Sequence, residues 1–329
     1  MNVPNARDYR VYRFRSLHRH LIRVAAFCCT AIPVGAQSPS FSLVGAAYDE
    51  ARGRAVIIGS STATDSVDTW LWDGKSWSTV TGAGPSSREE PLMVYDSKRR
   101  RVLLHGGGPT FNDTWEWNGS TWRLLDASGP PMRVAAALAY DARRDRVVLF
   151  GGSSPTGNQL NDTWEWDGNR WTRVVADGQV GSPPRRALHG LAYDVKRGRT
   201  VLAGGFSMVG RTPTPHRDTW EWDGSRWRQI DANGPGARDH VAMAYDPSRE
   251  AVILHGGGTP TGGMQGDTWA FNGAAWTRIA ESGPALGRHR MFYDAGSKAL
   301  SVYGGWGPNR LQSTEMWALR GGTWERVSP

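Results

Sequence analysis

Apolar residues in this chain fall into short runs, each closed by Gly, Asp or Asn. One stretch shows the pattern in full. Val134–Tyr140 runs into the polar turn Asp141-Ala142-Arg143-Arg144-Asp145, and Arg146–Phe150 ends at Gly151-Gly152. After a variable loop come Asp162–Trp166, the pair Asp167-Gly168, and Trp171–Val175. Runs of this length between such turns predict antiparallel meanders of short strands. Asp-Gly or Asn-Gly recurs at 73–74, 118–119, 167–168, 223–224 and 272–273, with Gly321-Gly322 in the last copy. Such pairs tolerate the positive φ angles of tight hairpins.

The four-run unit occurs six times, and tryptophan sets its register. Asp-Thr-Trp-Glu-Trp stands at Asp113–Trp117, Asp162–Trp166 and Asp218–Trp222. The first tryptophan of the unit falls at Trp70, Trp115, Trp164, Trp220, Trp269 and Trp317, and the closing one at Trp77, Trp122, Trp171, Trp227, Trp276 and Trp324. Of seventeen tryptophans only Trp306 stands outside the pattern. A strand-filled period of about 45–55 residues predicts a propeller. The expected fold is all-β, a six-bladed β-propeller of four-stranded antiparallel blades near 41–80, 88–126, 133–176, 186–231, 238–280 and 288–328. Residues two apart on a strand share a face, so each Trp-x-Trp offers one face for packing. The intervening Glu116, Glu165 and Glu221 become Leu71, Ala270 and Ala318 elsewhere, which marks them as packing or surface positions. Blade 1 already has an inner strand (Ser42–Tyr48) and blade 6 an outer one (Trp324–Val327), so closure is expected by face packing, without a strand exchanged between chain ends.

A Gly-Gly pair after an apolar strand, then an aromatic pair, then a tryptophan resembles the kelch repeat. The glycine pairs are 106–107, 151–152, 204–205, 256–257 and 304–305, with Gly59-Ser60 in blade 1, and the resemblance covers about 41–328. It implies a propeller whose second-strand loops and blade linkers share one face around a central channel, where ligands bind.

Residues 1–36 differ in character from the rest. Arg7, Arg10, Arg13, Arg15, Arg19 and Arg23 precede an apolar run, Val24–Ala36, that ends in Val34-Gly35-Ala36. This is the layout of an export signal, with cleavage expected between Ala36 and Gln37 and a secreted or periplasmic product. The run is shorter than the roughly 20 residues a membrane helix needs. Removing six basic residues and one acid lowers the formal charge from +8 to +3, so the high isoelectric point is poor support for a nucleic-acid partner. Cys28 and Cys29 leave as well, which removes thiol chemistry and thiolate ligands from the remainder. No cofactor or metal is expected, and the protein is expected to be a monomer.

Candidate ligand residues are the departures from the repeat and one repeated charge. Arginines near the start of the inner strands (Arg88, Arg133, Arg186, Arg238 and, shifted, Arg288) would form a partial ring at the channel entrance, suited to carboxylates, sulfates or phosphates. The alternative is that each braces an acid of its own repeat. Their unequal neighbours carry further weight: Glu89 and Glu90, His189, Asp239 and His240, His289 and Arg290. The longest loop, 206–217 of blade 4, adds Arg211, His216 and Arg217, and blade 6 adds Trp306 with Asn309 and Arg310. His105 and His255, each followed by three glycines, look like a lipase oxyanion segment, but no Gly-x-Ser-x-Gly nucleophile turn accompanies them.

Two functions follow. The first is a non-enzymatic module that binds a glycan or a protein through its loop face, the arginines suiting an anionic ligand of either kind. The second rests on a resemblance in architecture to the periplasmic sialic-acid mutarotases: catalysis on an acidic sugar, which needs an acid–base residue beside an arginine. Glu90 with Arg88, or Asp239 and His240 with Arg238, are the candidate sets.

Overall fold

The structure, a computed structural model, describes residues 31–33 and 44–327 apart from 60–67, 83, 109, 127, 211, 231–233, 261–262 and 309–310. It is a six-bladed β-propeller. Each blade is an antiparallel meander laid down in chain order from the axis outward. Blade 3, for example, consists of Ala137–Asp141, Arg146–Ser153, Gln159–Trp166 and Trp171–Val175. Inner strands touch their neighbours all the way round, including Gly45–Asp49 of blade 1 against Arg290–Asp294 of blade 6. Blades 1 and 6 each use only their own strands at this closure.

The repeat residues explain how one blade is fastened to the next. The second tryptophan of Trp-x-Trp is buried, as in Trp117, Trp166 and Trp222, and lies against the closing tryptophan of its own blade. The closing tryptophan reaches back across the interface. Trp122, Trp171, Trp227, Trp276 and Trp324 donate their indole N–H to Thr69, Thr114, Thr163, Thr219 and Thr268 of the preceding blade, at 2.8–2.9 Å. An indole N–H buried in such a seam is costly without an acceptor, so the threonine is as necessary as the ring. The closing seam is the exception. Met316 replaces threonine there, Trp77 Nε1 has no acceptor, and Trp77 packs on Tyr303 instead. At this point of the closing seam an aromatic contact stands in place of the indole–threonine bond, while nearby Gly296 N–H donates to Tyr48 Oη across the seam at 3.1 Å.

Glycine in the outer hairpin turns has a second use beyond its positive φ. A side chain at Gly119, Gly168, Gly224 or Gly273 would collide with Arg52, Arg99, Arg144 or Arg197 of the preceding blade. These arginines lie over the neighbour's turn while pairing with the aspartate three residues before them in their own turn.

Two sequence expectations change. The long loop of blade 4 is largely a hairpin: its second strand extends over Arg199–Val209 and returns through Thr212–Pro215. Ala31–Pro33, inside the segment read as an export signal, adds a fifth strand to blade 1. It pairs with the outer strand in the register Ala31↔Val80, Ile32↔Thr79, Pro33↔Ser78. The expected cleavage point at 36–37 lies outside the described residues. Other outer strands carry exposed arginine, such as Arg123, Arg173 and Arg228, which discourages edge pairing; this one has Ser78 and Thr79.

Thr163→Val keeps the shape of the side chain and removes the acceptor of the Trp227 indole. It is expected to lower unfolding stability by about 1–3 kcal/mol in denaturant titrations. An unchanged midpoint would show that the interblade indole bond does not stabilise the ring.

Candidate functional site

Four of the five arginines predicted at the channel entrance are braces. Arg88, Arg133, Arg186 and Arg238 meet Asp113, Asp162, Asp218 and Asp267 at 2.6, 2.7, 2.7 and 2.8 Å, with arginine side-chain exposures of 5% or less. Each aspartate takes two guanidinium nitrogens, one on each oxygen, and one of those nitrogens also donates to the carbonyl of the first glycine of the Gly-Gly pair. The same aspartates accept the indole N–H of the tryptophan two residues on, at 2.6–2.7 Å. Burial alone would raise the carboxyl pKa values of Asp113, Asp218 and Asp267. The arginine bonds outweigh it and hold them below the ordinary range.

The fifth arginine sits elsewhere. Each brace lies eight residues before the aspartate that ends its inner strand, and blade 6 has the buried Leu286 at that place. Arg288 lies six before, where the other linked blades carry Glu90, Ala135, Leu188 and His240. All five adopt left-handed backbone, with φ of 51, 56, 58, 57 and 57° from Glu90 to Arg288. That conformation is unfavourable for residues with a Cβ and persists where its surroundings enforce it. Here neighbours enforce it: Leu188 N–H donates to Ala135 O, His240 N–H to Leu188 O, and Arg288 N–H to His240 O, at 2.9, 2.9 and 3.1 Å. These residues form a hydrogen-bonded rim where the inner strands begin.

Charge gathers on one arc of the rim. Arg288 Nη1 donates to Glu90 Oε1 at 2.8 Å, joining positions 198 apart in sequence. The Arg288 guanidinium lies 4.8 Å from the ring centre of Trp306, within reach of a cation–π contact. Asp239 Oδ1 and His240 Nδ1 are 2.6 Å apart, and Asp239 Oδ2 is buried without a hydrogen-bond partner. Arg290, two residues on, makes no hydrogen bond or ion pair to a described residue, yet exchanges electrostatic influence with Glu90 and Arg288. Burial depresses its pKa; Glu90 opposes that shift and Arg288 adds to it. Burial tends to raise Glu90, but Arg288, Arg290 and His240 keep it ionised below its ordinary value. The outcome is two carboxylates, two guanidiniums and an imidazole on one arc, with Arg290 in no hydrogen bond or ion pair to a described residue.

No family model matches the chain, and no curated protein matches it. Among solved structures it is similar to YjhT. The identity is 12%, over 90% of this chain and 97% of that one, with a TM-score of 0.65. At that identity the likeness shows the propeller fold alone.

Several predicted residues do not join the rim cluster. Arg211, Asn309 and Arg310 lie outside the described residues. His216 Nε2 is 2.6 Å from Ser207 Oγ, and that hydroxyl donates to the Arg185 carbonyl. The imidazole therefore donates to the serine and does not activate it. The candidate sets also regroup: Glu90 belongs with Arg288 across the ring, because Arg88 is committed to Asp113. Asp239 and His240 likewise stand apart from Arg238, which holds Asp267. Among the described residues, no three His, Cys, Asp or Glu side chains gather closely enough to hold a metal ion.

Buried histidines flank this architecture. Burial, assisted by nearby arginines, pushes His105 and His189 to about 3, and burial takes His255 to about 4. His289 is lowered well below its ordinary value by burial, by His255 and by Arg290. Both ring nitrogens of His189 and of His289 lack partners. These groups bind fewer protons folded than unfolded, so stability falls with acidity below about pH 6.5 and levels off only below the folded values. An acid titration of stability should show this slope between about pH 6.5 and 3, reduced in His189→Leu. An identical slope in that variant would contradict the assignment.

Proposed function

We propose that this propeller is an exported, kelch-type binding module that holds a carboxylate-bearing sugar at the rim of its channel. The observation that carries the reading is Arg290, a half-buried guanidinium with no described partner beside the Glu90–Arg288 pair. A guanidinium binds a carboxylate through paired hydrogen bonds and gains most where water is partly excluded. Trp306 packs on the neighbouring Arg288 guanidinium, and Asp239, His240 and Glu90 supply acceptors and donors for sugar hydroxyls. Five Gly-Gly pairs and six tryptophan registers support the kelch assignment, and the arginine-rich leader supports export.

A second reading is favoured by one specific feature. The Asp239–His240 pair, 2.6 Å apart, stands on the same rim as the ionised Glu90. Ring opening of a sugar hemiacetal moves a proton off the anomeric hydroxyl and places one on the ring oxygen, which two such groups could serve. The resemblance in architecture to sialic-acid mutarotases points the same way.

Calorimetric titration with galacturonate and N-acetylneuraminate, against glucose as the neutral control, tests the binding role. Binding of an acidic sugar should weaken on the order of tenfold or more in Arg290→Ala, since a charge-assisted pair contributes about 1.5–3 kcal/mol. Equal affinity for glucose, or no loss in Arg290→Ala, would refute it. NMR of anomer exchange then separates the readings: acceleration abolished by Glu90→Gln favours the enzyme, and binding without acceleration excludes it.

A further inference from the structure

The face opposite the rim carries a separate, lopsided charge. It is built by the turns between inner and second strands. In blades 2, 3 and 4 these turns, 96–101, 141–146 and 194–199, hold ten basic residues against four acidic ones. The corresponding turns of blades 5, 6 and 1 hold four against five. The excess of six charges in blades 2–4 is twice the net +3 of the whole chain after residue 36. The rest of that chain is therefore net acidic.

Much of this charge is not needed for the fold. Arg99, Arg144 and Arg197 are the turn braces and have their aspartates, with Glu165 and Glu221 as second partners for the last two. Lys98 and Lys196 pair with Asp145 and Glu250. Arg100, Arg101, Arg143, Arg146 and Arg199 form no ion pair with a described carboxylate. Arg101, Arg146 and Arg199 donate to carbonyls of their own turns, at 3.1, 2.8 and 2.9 Å, which aims the guanidiniums without neutralising them. Each opens its second strand, and blades 5 and 6 have buried Ala251 and Ala299 at that place. The blade tolerates alanine there, so the arginines form an arc that packing does not demand. Arg100 and Arg143 stand exposed beside it.

We infer that this arc is a docking surface for an acidic polysaccharide, a flexible chain bearing carboxylates at regular intervals. Three adjacent blades present guanidiniums in succession, and each can take a carboxylate in paired hydrogen bonds. The local field concentrates polyanions over roughly a Debye length. Competing partners fit less well. Single-stranded nucleic acid is held by aromatic stacking, and these turns contain no aromatic residue. Duplex DNA is stiff over about 50 nm and cannot follow an arc around a small ring. A membrane surface favours apolar insertion, and Val195 is the one exposed large hydrophobic in these turns.

The test is binding of the full chain to immobilised polygalacturonate at two salt concentrations, with Arg100→Glu/Arg143→Glu as the variant. Both side chains are exposed and neither forms an ion pair with a described residue, although Arg143 lies over the Gly198 turn of blade 4. Arg173→Glu/Arg228→Glu, on outer strands, removes equal charge and is the control. Salt-sensitive binding that falls on the order of tenfold in the arc variant and under about twofold in the control is expected. Four outcomes would each overturn the inference: no binding, equal losses in both variants, binding that vanishes only when residues 1–36 are removed, or tighter binding to phosphatidylglycerol vesicles or DNA.

Discussion

The arginine–aspartate brace is the contact on which the propeller depends. Asp113, Asp218 and Asp267 stand just before a third strand and Asp162 within one, and each accepts from a blade-linker arginine and from the tryptophan two residues on. One carboxylate thereby ties three things together: the linker entering the blade, the Gly-Gly turn leaving the second strand, and the aromatic pair. A buried ion pair of this kind stabilises little beyond an apolar substitute, but breaking one partner leaves a stranded charge. Its contribution is geometric. The residue two positions after each brace is left-handed on the channel rim, and Arg288 shares that conformation without a brace.

Rim charge collects at blade 6. There the brace is dissolved: Leu286 replaces the arginine, and Glu315 replaces the aspartate and turns outward to Arg326. Positive charge reappears at Arg288 and Arg290, on the rim, where Glu90 of blade 2 meets it. The closing seam has also lost its indole–threonine bond. The least regular part of the ring thus carries the least regular chemistry, as expected where a repeat scaffold accepts local departures to build a site.

Blade number, strand order and closure without strand exchange were legible because tryptophan spacing and glycine turns report local geometry, and local geometry repeats. The role of the arginines was legible only as an alternative between ring and brace, because the acid each one meets lies 25–32 residues away. Arg288 passed as a shifted member of the series. Counting back from the Tyr-Asp pair that ends each inner strand separates it, since the braces lie eight residues before that aspartate and Arg288 lies six. Its contact with Glu90 was not legible at all: no periodicity links residues on blades 6 and 2, and only closure of the ring brings them together.

The central claim is a division of labour among arginines that look alike in sequence: some hold the fold and one is held in reserve. Thermal unfolding of Arg186→Met and Arg290→Met measures it most directly. Arg186→Met strands the Asp218 charge and should cost about 3–5 kcal/mol, while Arg290→Met removes the cost of burying a charge, which outweighs its attraction to Glu90, and should leave the midpoint unchanged or raised. A large loss in Arg290→Met together with a tolerated Arg186→Met would contradict the account.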